Sequence, residues 1–183
     1  MIYPIVVYGD PVLKKKATNF SVEDKEKVTK IIADMFETMY NAHGVGLAAP
    51  QVGISKRLFV VDGEPLDEKE CKGFKKVFIN PLIITEYGKE WEFEEGCLSI
   101  PGIREFISRP ETLTIQYLDE NWNQQIEEFS GMKARIIQHE YDHIEGILFT
   151  DKLSGFKKRL IQGKLTKISK GETDANYRVK VYR

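Results

Sequence analysis

The segment His139-Glu-Tyr-Asp-His143 carries the sharpest chemical signal in the chain. On a helix, histidines at i and i+4 project from one face a turn apart, where both imidazoles can bind one metal ion. Glu140 stands beside the first histidine and can reach a water activated by that ion without binding the ion itself. The pattern is short, and two solvent-facing histidines flanking an acid would read the same way. Economy favours the metal, because the chain has three histidines and two of them fall here.

A catalytic site of this kind needs a third ligand and an open fourth position. Zinc peptidases with HExxH usually take that ligand from a downstream Glu or His. After Glu145 no histidine remains, and the later carboxylates are Asp151, Glu172 and Asp174. Upstream, Glu95-Gly-Cys-Leu-Ser99 offers Cys97, a soft thiolate suited to completing a His₂Cys set. Glu95 and Asp142 are near enough in sequence to accept the other N–H of a ligand imidazole. Ion pairs with Arg104 or Arg109 are the alternative for both acids. Cys71, in a polar stretch with no ligand at useful spacing, is expected to be a bystander thiol. His43 could line the mouth of a cleft, but the favoured reading is a solvated loop histidine without a function.

A third segment, Gly44-Val-Gly-Leu-Ala-Ala-Pro-Gln51, has the glycines of a shaped loop. It is a poor dinucleotide fingerprint, since it follows a helical pattern rather than a strand and Pro50 blocks the helix that should open there. Taken in order, the three segments resemble the peptide deformylase family, whose pattern is GxGxAAPQ, EGCLS and HExDH. The likeness in order, spacing and length runs over about residues 1 to 165.

That resemblance implies a metal-dependent hydrolase that removes the formyl group from the N-terminal formyl-methionine of newly made polypeptides, releasing formate. It implies Cys97, His139 and His143 as metal ligands and Glu140 as general base, then general acid. It implies the Gln51 side-chain amide and the Leu98 backbone N–H as donors to the developing oxyanion, and Gly46 as a hold on the peptide backbone. Val45, Ile136 and Arg135 fall where the family builds its methionine pocket, and Arg104 falls at the side of the cleft. Fe(II) is the family's typical native metal, with Zn(II), Ni(II) or Co(II) able to take the same place. Two other readings stay open: a zinc peptidase with a His₂Cys site, and a family member kept as a non-catalytic ribosome-binding protein.

The elements that must position these groups can be read from periodicity. Ser21-Val-Glu-Asp24 has the form of a capping box, and Val28, Ile31, Ile32, Met35, Phe36 and Met39 follow at helical spacing, predicting a helix over 22–41. Arg57 to Asp62 reads as a strand, Glu64 to Phe74 as a polar surface excursion, and Val77 to Thr85, Lys89 to Phe93 and Arg104 to Ser108 as extended. Thr112 to Leu118 and Gln124 to Phe129 alternate about a turn, predicting a hairpin. Ser130 can cap a helix from about Gly131 to Glu145 that ends at Gly146, and a basic helix follows near Ser154 to Ser169. This order predicts an α+β domain, with antiparallel β-sheets packed around a central HExxH helix and a helix towards each terminus. Residues 1–170 form the expected catalytic domain, and residues 171–183 a polar, flexible tail.

With 42% hydrophobic and 30% charged residues among 183, the composition is that of an ordinary globular domain. No apolar run approaches the roughly 20 residues of a membrane span, and the first residues lack the pattern of a signal peptide, so a cytoplasmic location is expected. Residues 151–183 carry ten Lys/Arg against three Asp/Glu, although the whole chain has a net charge of −1. Lys152, Lys157, Lys158, Arg159, Lys164, Lys167 and Lys170 face only Asp151 in sequence, a cluster that could draw the protein to ribosomal RNA.

Overall fold

Ten helices and strands follow one another in the computed structural model, which describes residues 1–183. In chain order they are β1 (Ile5–Val6), α1 (Lys25–Asn41), β2 (Gly46–Ala48), β3 (Leu58–Asp62), β4 (Lys75–Cys97), β5 (Ile100–Leu118), β6 (Gln124–Ser130), α2 (Gly131–Ile144), α3 (Gly155–Ser169) and β7 (Val179–Lys180). Strands β2 to β6 form one antiparallel sheet in chain order, and β1 pairs with β7 in parallel. Helix α2 packs against β2, β3, β5 and β6, giving the predicted α+β arrangement around the HExxH helix.

Strand β3 shows why the centre holds. Its alternate residues Phe59 and Val61 join the core beneath α2, while Leu58 and Val60 join the core beneath α1. Full burial of each such side chain stabilises the fold by about 1.5–3 kcal/mol. A third core lies under α3, where Ile161, Leu165 and Ile168 meet Ile100, Ile103 and Ile107 of β5. No helix is long and apolar enough to cross a membrane.

The helix signals act much as the sequence indicates. The Ser21 N–H donates to Asp24 Oδ2 at 3.0 Å, opening a 3-10 turn at Val22–Asp24 that runs into α1. Ser154 caps α3 by accepting from the Lys157 N–H at 3.2 Å. Ser130 stands at the start of α2 but makes no cap bond there. Its hydroxyl lies 3.0 Å from that of Thr112, and Glu70 accepts from the Met132 N–H at 2.9 Å instead.

Four expectations need correction. The three extended pieces between 77 and 108 are parts of two long strands, β4 and β5, joined as one hairpin. Register shifts interrupt the ladder at Ile79/Leu82, Ile83/Thr85, Tyr87/Glu90 and Gly96/Cys97, and residues 84–90 of β4 are exposed on both faces, so no apolar alternation marks that stretch. The 43–53 segment, read as loop, contains β2. Cys71, read in a surface excursion, is fully buried in the core beneath α2, and burial pushes its thiol up to about 11. Finally, residues 171–183 do not trail free: the Ile5 N–H donates to the Arg178 carbonyl at 2.9 Å and the Val7 N–H to the Lys180 carbonyl at 3.1 Å.

Candidate active site

Helix α2 brings His139 and His143 together, with ring centroids 5.1 Å apart, on the face turned towards the end of β4. There Cys97 Sγ lies 3.4 Å from His143 Nε2, and the ligand atoms of Cys97, His139 and His143 all fall within 4.8 Å of one another. The donor chemistry fits a divalent cation. Burial works against charge on His139, yet Cys97 and Glu95 raise its pKa well above the ordinary value, so the cluster attracts positive charge. Burial, with His139 and Arg109 nearby, holds His143 well below its ordinary value, keeping it in the neutral form that binds metals.

Glu95 organises the ground around this cluster. Its carboxylate accepts from His139 Nδ1 at 2.9 Å, from Arg109 Nε and Nη2 at 2.7 and 3.0 Å, and from Arg135 Nη1 at 2.8 Å. Both alternatives raised by the sequence therefore hold at once for this residue. Burial alone would raise its pKa, but His139 and Arg109 hold it well below the usual carboxylate range. With Nδ1 of His139 committed to Glu95, Nε2 is the atom left for a ligand bond. Asp142 orients no imidazole and accepts from Arg109 Nη1 at 2.8 Å.

Glu140 is buried, its Oε2 has no partner in the protein, and burial pushes its carboxyl up to about 7. Gln51 is also buried. Its Oε1 accepts from the Ala48 N–H at 3.0 Å, which aims Nε2 at Ser99 Oγ, 3.1 Å away, and at Cys97 Sγ, 3.5 Å away. Leu98 sits in the turn between β4 and β5, where its N–H has no backbone acceptor. Gln51, Glu95, Cys97, Leu98, His139 and Glu140 line one cleft of about 780 Å³, and His143 is buried beside Cys97. The constellation provides ligands, a carboxylate poised near neutrality and amide donors at one end of a partly apolar groove.

The sequence model described as polypeptide deformylase matches residues 2–159. The chain belongs to this family. A peptide deformylase of Cytophaga hutchinsonii is 59% identical over 180 residues, covering 98% of this chain and 97% of that one. One of Christiangramia forsetii is 57% identical over 189 residues, covering 98% and 96%. Among solved structures, peptide deformylase of Thermus thermophilus superposes with a TM-score of 0.83 at 40% identity, covering 93% of this chain and 99% of that one. The enzyme from Ehrlichia chaffeensis in complex with actinonin gives 0.83 at 37% identity, covering 93% and 98%.

Within this deformylase fold, every catalytic, metal-ligating and substrate residue singled out from the sequence lines the cleft except His143, which is buried beside Cys97. Gly46 lies against the Glu140 carboxylate, closer than a side chain would permit. Val45 is half-buried, and its carbonyl accepts from the Asp62 N–H at 2.9 Å. Ile136 is both cleft wall and core, packed beneath α2. Arg104 is exposed at the rim and donates to Glu94 Oε1 at 2.9 Å. Arg135 is buried, stacks on Trp91 at 4.4 Å and donates to the Ile107 and Trp91 carbonyls, which makes it a brace behind the pocket. His43 is exposed and stands at the mouth.

Sequence reasoning missed Tyr177 and its neighbours. Residues 172–177 form part of the cleft wall, and the Tyr177 hydroxyl donates to the Leu98 carbonyl at 2.7 Å. The available signal was an alternation, with Thr173, Ala175, Tyr177, Val179 and Val181 turned inward and their neighbours exposed.

Proposed function

We propose that Cys97, His139 and His143 hold one divalent metal ion, Fe(II) in the native protein with Zn(II), Ni(II) or Co(II) able to replace it. The chain is a peptide deformylase, and with this ion it hydrolyses the formamide of N-terminal formyl-methionine to formate and a free amine. When bound, the ion supplies Lewis acidity that makes water a nucleophile at neutral pH.

The protein's own groups do the rest. Glu140 takes a proton from the attacking water and delivers it to the departing amine nitrogen, for which a carboxyl held near neutrality suits both directions. Gln51 Nε2 and the Leu98 N–H donate to the carbonyl oxygen as it gains charge. Gly46 and Val45 border the substrate backbone, while Ile136 lines the space for the methionine side chain with Arg104 at the rim. The observation that supports this reading best is the meeting, in one cleft, of a His₂Cys donor set with an unpartnered buried carboxylate oxygen.

The test compares formate release from formyl-Met peptides with attack on N-acetyl and internal amide bonds, using protein purified without oxygen and analysed for metal. Formate release from the formyl substrates alone is the expected result. Cleavage of internal amides would favour the peptidase reading, and no turnover with metal in place would refute the enzyme.

A cytoplasmic location goes with this reading, as does contact with the ribosome through α3. Lys158, Arg159, Lys164, Lys167 and Lys170 are exposed, whereas Lys157 lies 3.6 Å from Glu105, Lys152 lies 3.7 Å from Asp142, and Asp151 pairs with Lys14. Deleting α3 would remove three core side chains, so charge substitution is the cleaner test. Replacing Lys158, Arg159 and Lys170, which lie outside the cleft, with Glu should weaken ribosome co-sedimentation at low salt and spare turnover of short peptides. Unchanged co-sedimentation would remove the ribosome from the proposal.

A further inference from the structure

The turn that carries Leu98 is only two residues long, since β4 ends at Cys97 and β5 begins at Ile100. Three distant segments hold its polar groups. The Tyr8 N–H donates to the Ser99 carbonyl at 2.9 Å, Gln51 Nε2 donates to the Ser99 hydroxyl at 3.1 Å, and the Tyr177 hydroxyl donates to the Leu98 carbonyl at 2.7 Å. The Tyr177 ring packs with Leu98 against the core beneath α1. Its place along the chain is set on one side by the β1–β7 pairing, Ile5 with Val179 and Val6 with Lys180. The Leu98 N–H has no backbone acceptor, and a register shift at Gly96/Cys97 loosens the ladder just before it.

We infer that Tyr177 is a positioning residue for deformylation: it anchors the Leu98 carbonyl and so fixes the direction of the Leu98 N–H towards the substrate oxygen. This rests on the deformylase reading above and deepens it, because it makes the C-terminal segment a working part of the cleft. The physical reason lies in the backbone. Two soft dihedrals separate the Leu98 N–H from the Leu98 carbonyl, and an unanchored peptide plane at a bulged strand end can rock about them. An oxyanion donor is effective only where its direction is set before reaction, and misplacement by about 1 Å can cost about 10²-fold in rate.

The test is Tyr177→Phe, which removes the hydroxyl and keeps the ring packing, beside Tyr182→Phe, an exposed tyrosine of the same segment. In Tyr177→Phe, kcat should fall about five- to 50-fold while KM stays within about twofold. Metal content and Tm should match the wild type, and amide hydrogen exchange at Leu98 and Ser99 should quicken. Tyr182→Phe should match the wild type throughout. Wild-type kcat and exchange in Tyr177→Phe would overturn the inference, and so would a loss of rate that follows loss of metal or of Tm. A wild-type protein that releases no formate would instead refute the underlying reading, so the two failures are distinct.

Discussion

The α-carbon of Gly46 lies so close to Glu140 that a β-carbon added there would stand 2.6 Å from Glu140 Oε1 and 2.8 Å from its Cγ. The glycine of β2 is thus a condition for the position of the carboxylate as well as a place where substrate backbone can approach. Gly46→Ala should push Glu140 aside, lowering kcat by about 10- to 100-fold while metal stays bound. Formate-release kinetics with metal analysis checks this. A variant with normal kcat would show that Glu140 has room to spare.

Glu140 itself separates chemistry from binding. Glu140→Gln keeps the size and removes the base, so folding and metal content should survive while kcat falls about 10²- to 10⁴-fold with little change in KM. His139→Ala and His143→Ala should lose metal together with activity, since two remaining ligands hold a divalent ion poorly. A Glu140→Gln protein emptied of metal, or one still turning over normally, would contradict the assigned role.

Glu95 ties His139 to two buried guanidinium groups, so its replacement should show in stability and in metal affinity together. Glu95→Gln leaves Arg135 without an anion and Arg109 with Asp142 alone, a kind of loss that costs about 3–5 kcal/mol when a buried ion pair is broken on one side. Metal affinity should drop by about 10- to 100-fold as the His139 ring loses its orienting acceptor. Urea unfolding and a chelator competition measure the two effects. A variant as stable as the wild type would mean that Asp142 alone satisfies Arg109.

Cys71 gives a pH signature away from the site. In the folded chain its thiol is pushed up to about 11 from an ordinary value of 9.0, chiefly by burial. Between these values the unfolded chain releases a proton that the folded chain retains, so this group's contribution is whole below pH 9 and is lost as pH rises towards 11. Cys71→Ala lacks that term, and its stability should decline less steeply than that of the wild type over the same interval. Denaturant unfolding at pH 8 and at pH 10.5 decides it, and parallel declines would show that Cys71 does not contribute.

Cys97 borders the open cleft, so a redox-active metal beside it should expose the thiolate to oxidation. Iron-loaded protein should lose activity in air or peroxide, and the zinc or nickel form should last longer. Mass spectrometry of the peptide containing Cys97 should find sulfenic or sulfinic acid in the iron form. Equal loss in both forms would place the cause outside metal redox chemistry.

The amino-acid sequence by itself determined the local elements and the spacing of the candidate ligands on α2. His139 and His143 had to share a face because a helix turns every 3.6 residues, and the capping box and apolar stripe of α1 carried their own boundaries. The β5–β6 hairpin was legible because its alternation is unbroken. The tertiary structure decided what lies between distant segments. Whether Glu95 would serve His139 or an arginine depended on Arg109 and Arg135 arriving from β5 and α2, and it serves all three. The full length of β4 and β5 stayed hidden because residues 84–90 of β4 are exposed on both faces, so the apolar alternation that marks a strand is missing there. The 171–183 segment read as a polar tail because its partners, β1 and the Leu98 carbonyl, lie far away in sequence. Local backbone geometry repeats every few residues and leaves a pattern, whereas contacts between remote segments depend on how the whole chain closes, and no short stretch of sequence encodes that.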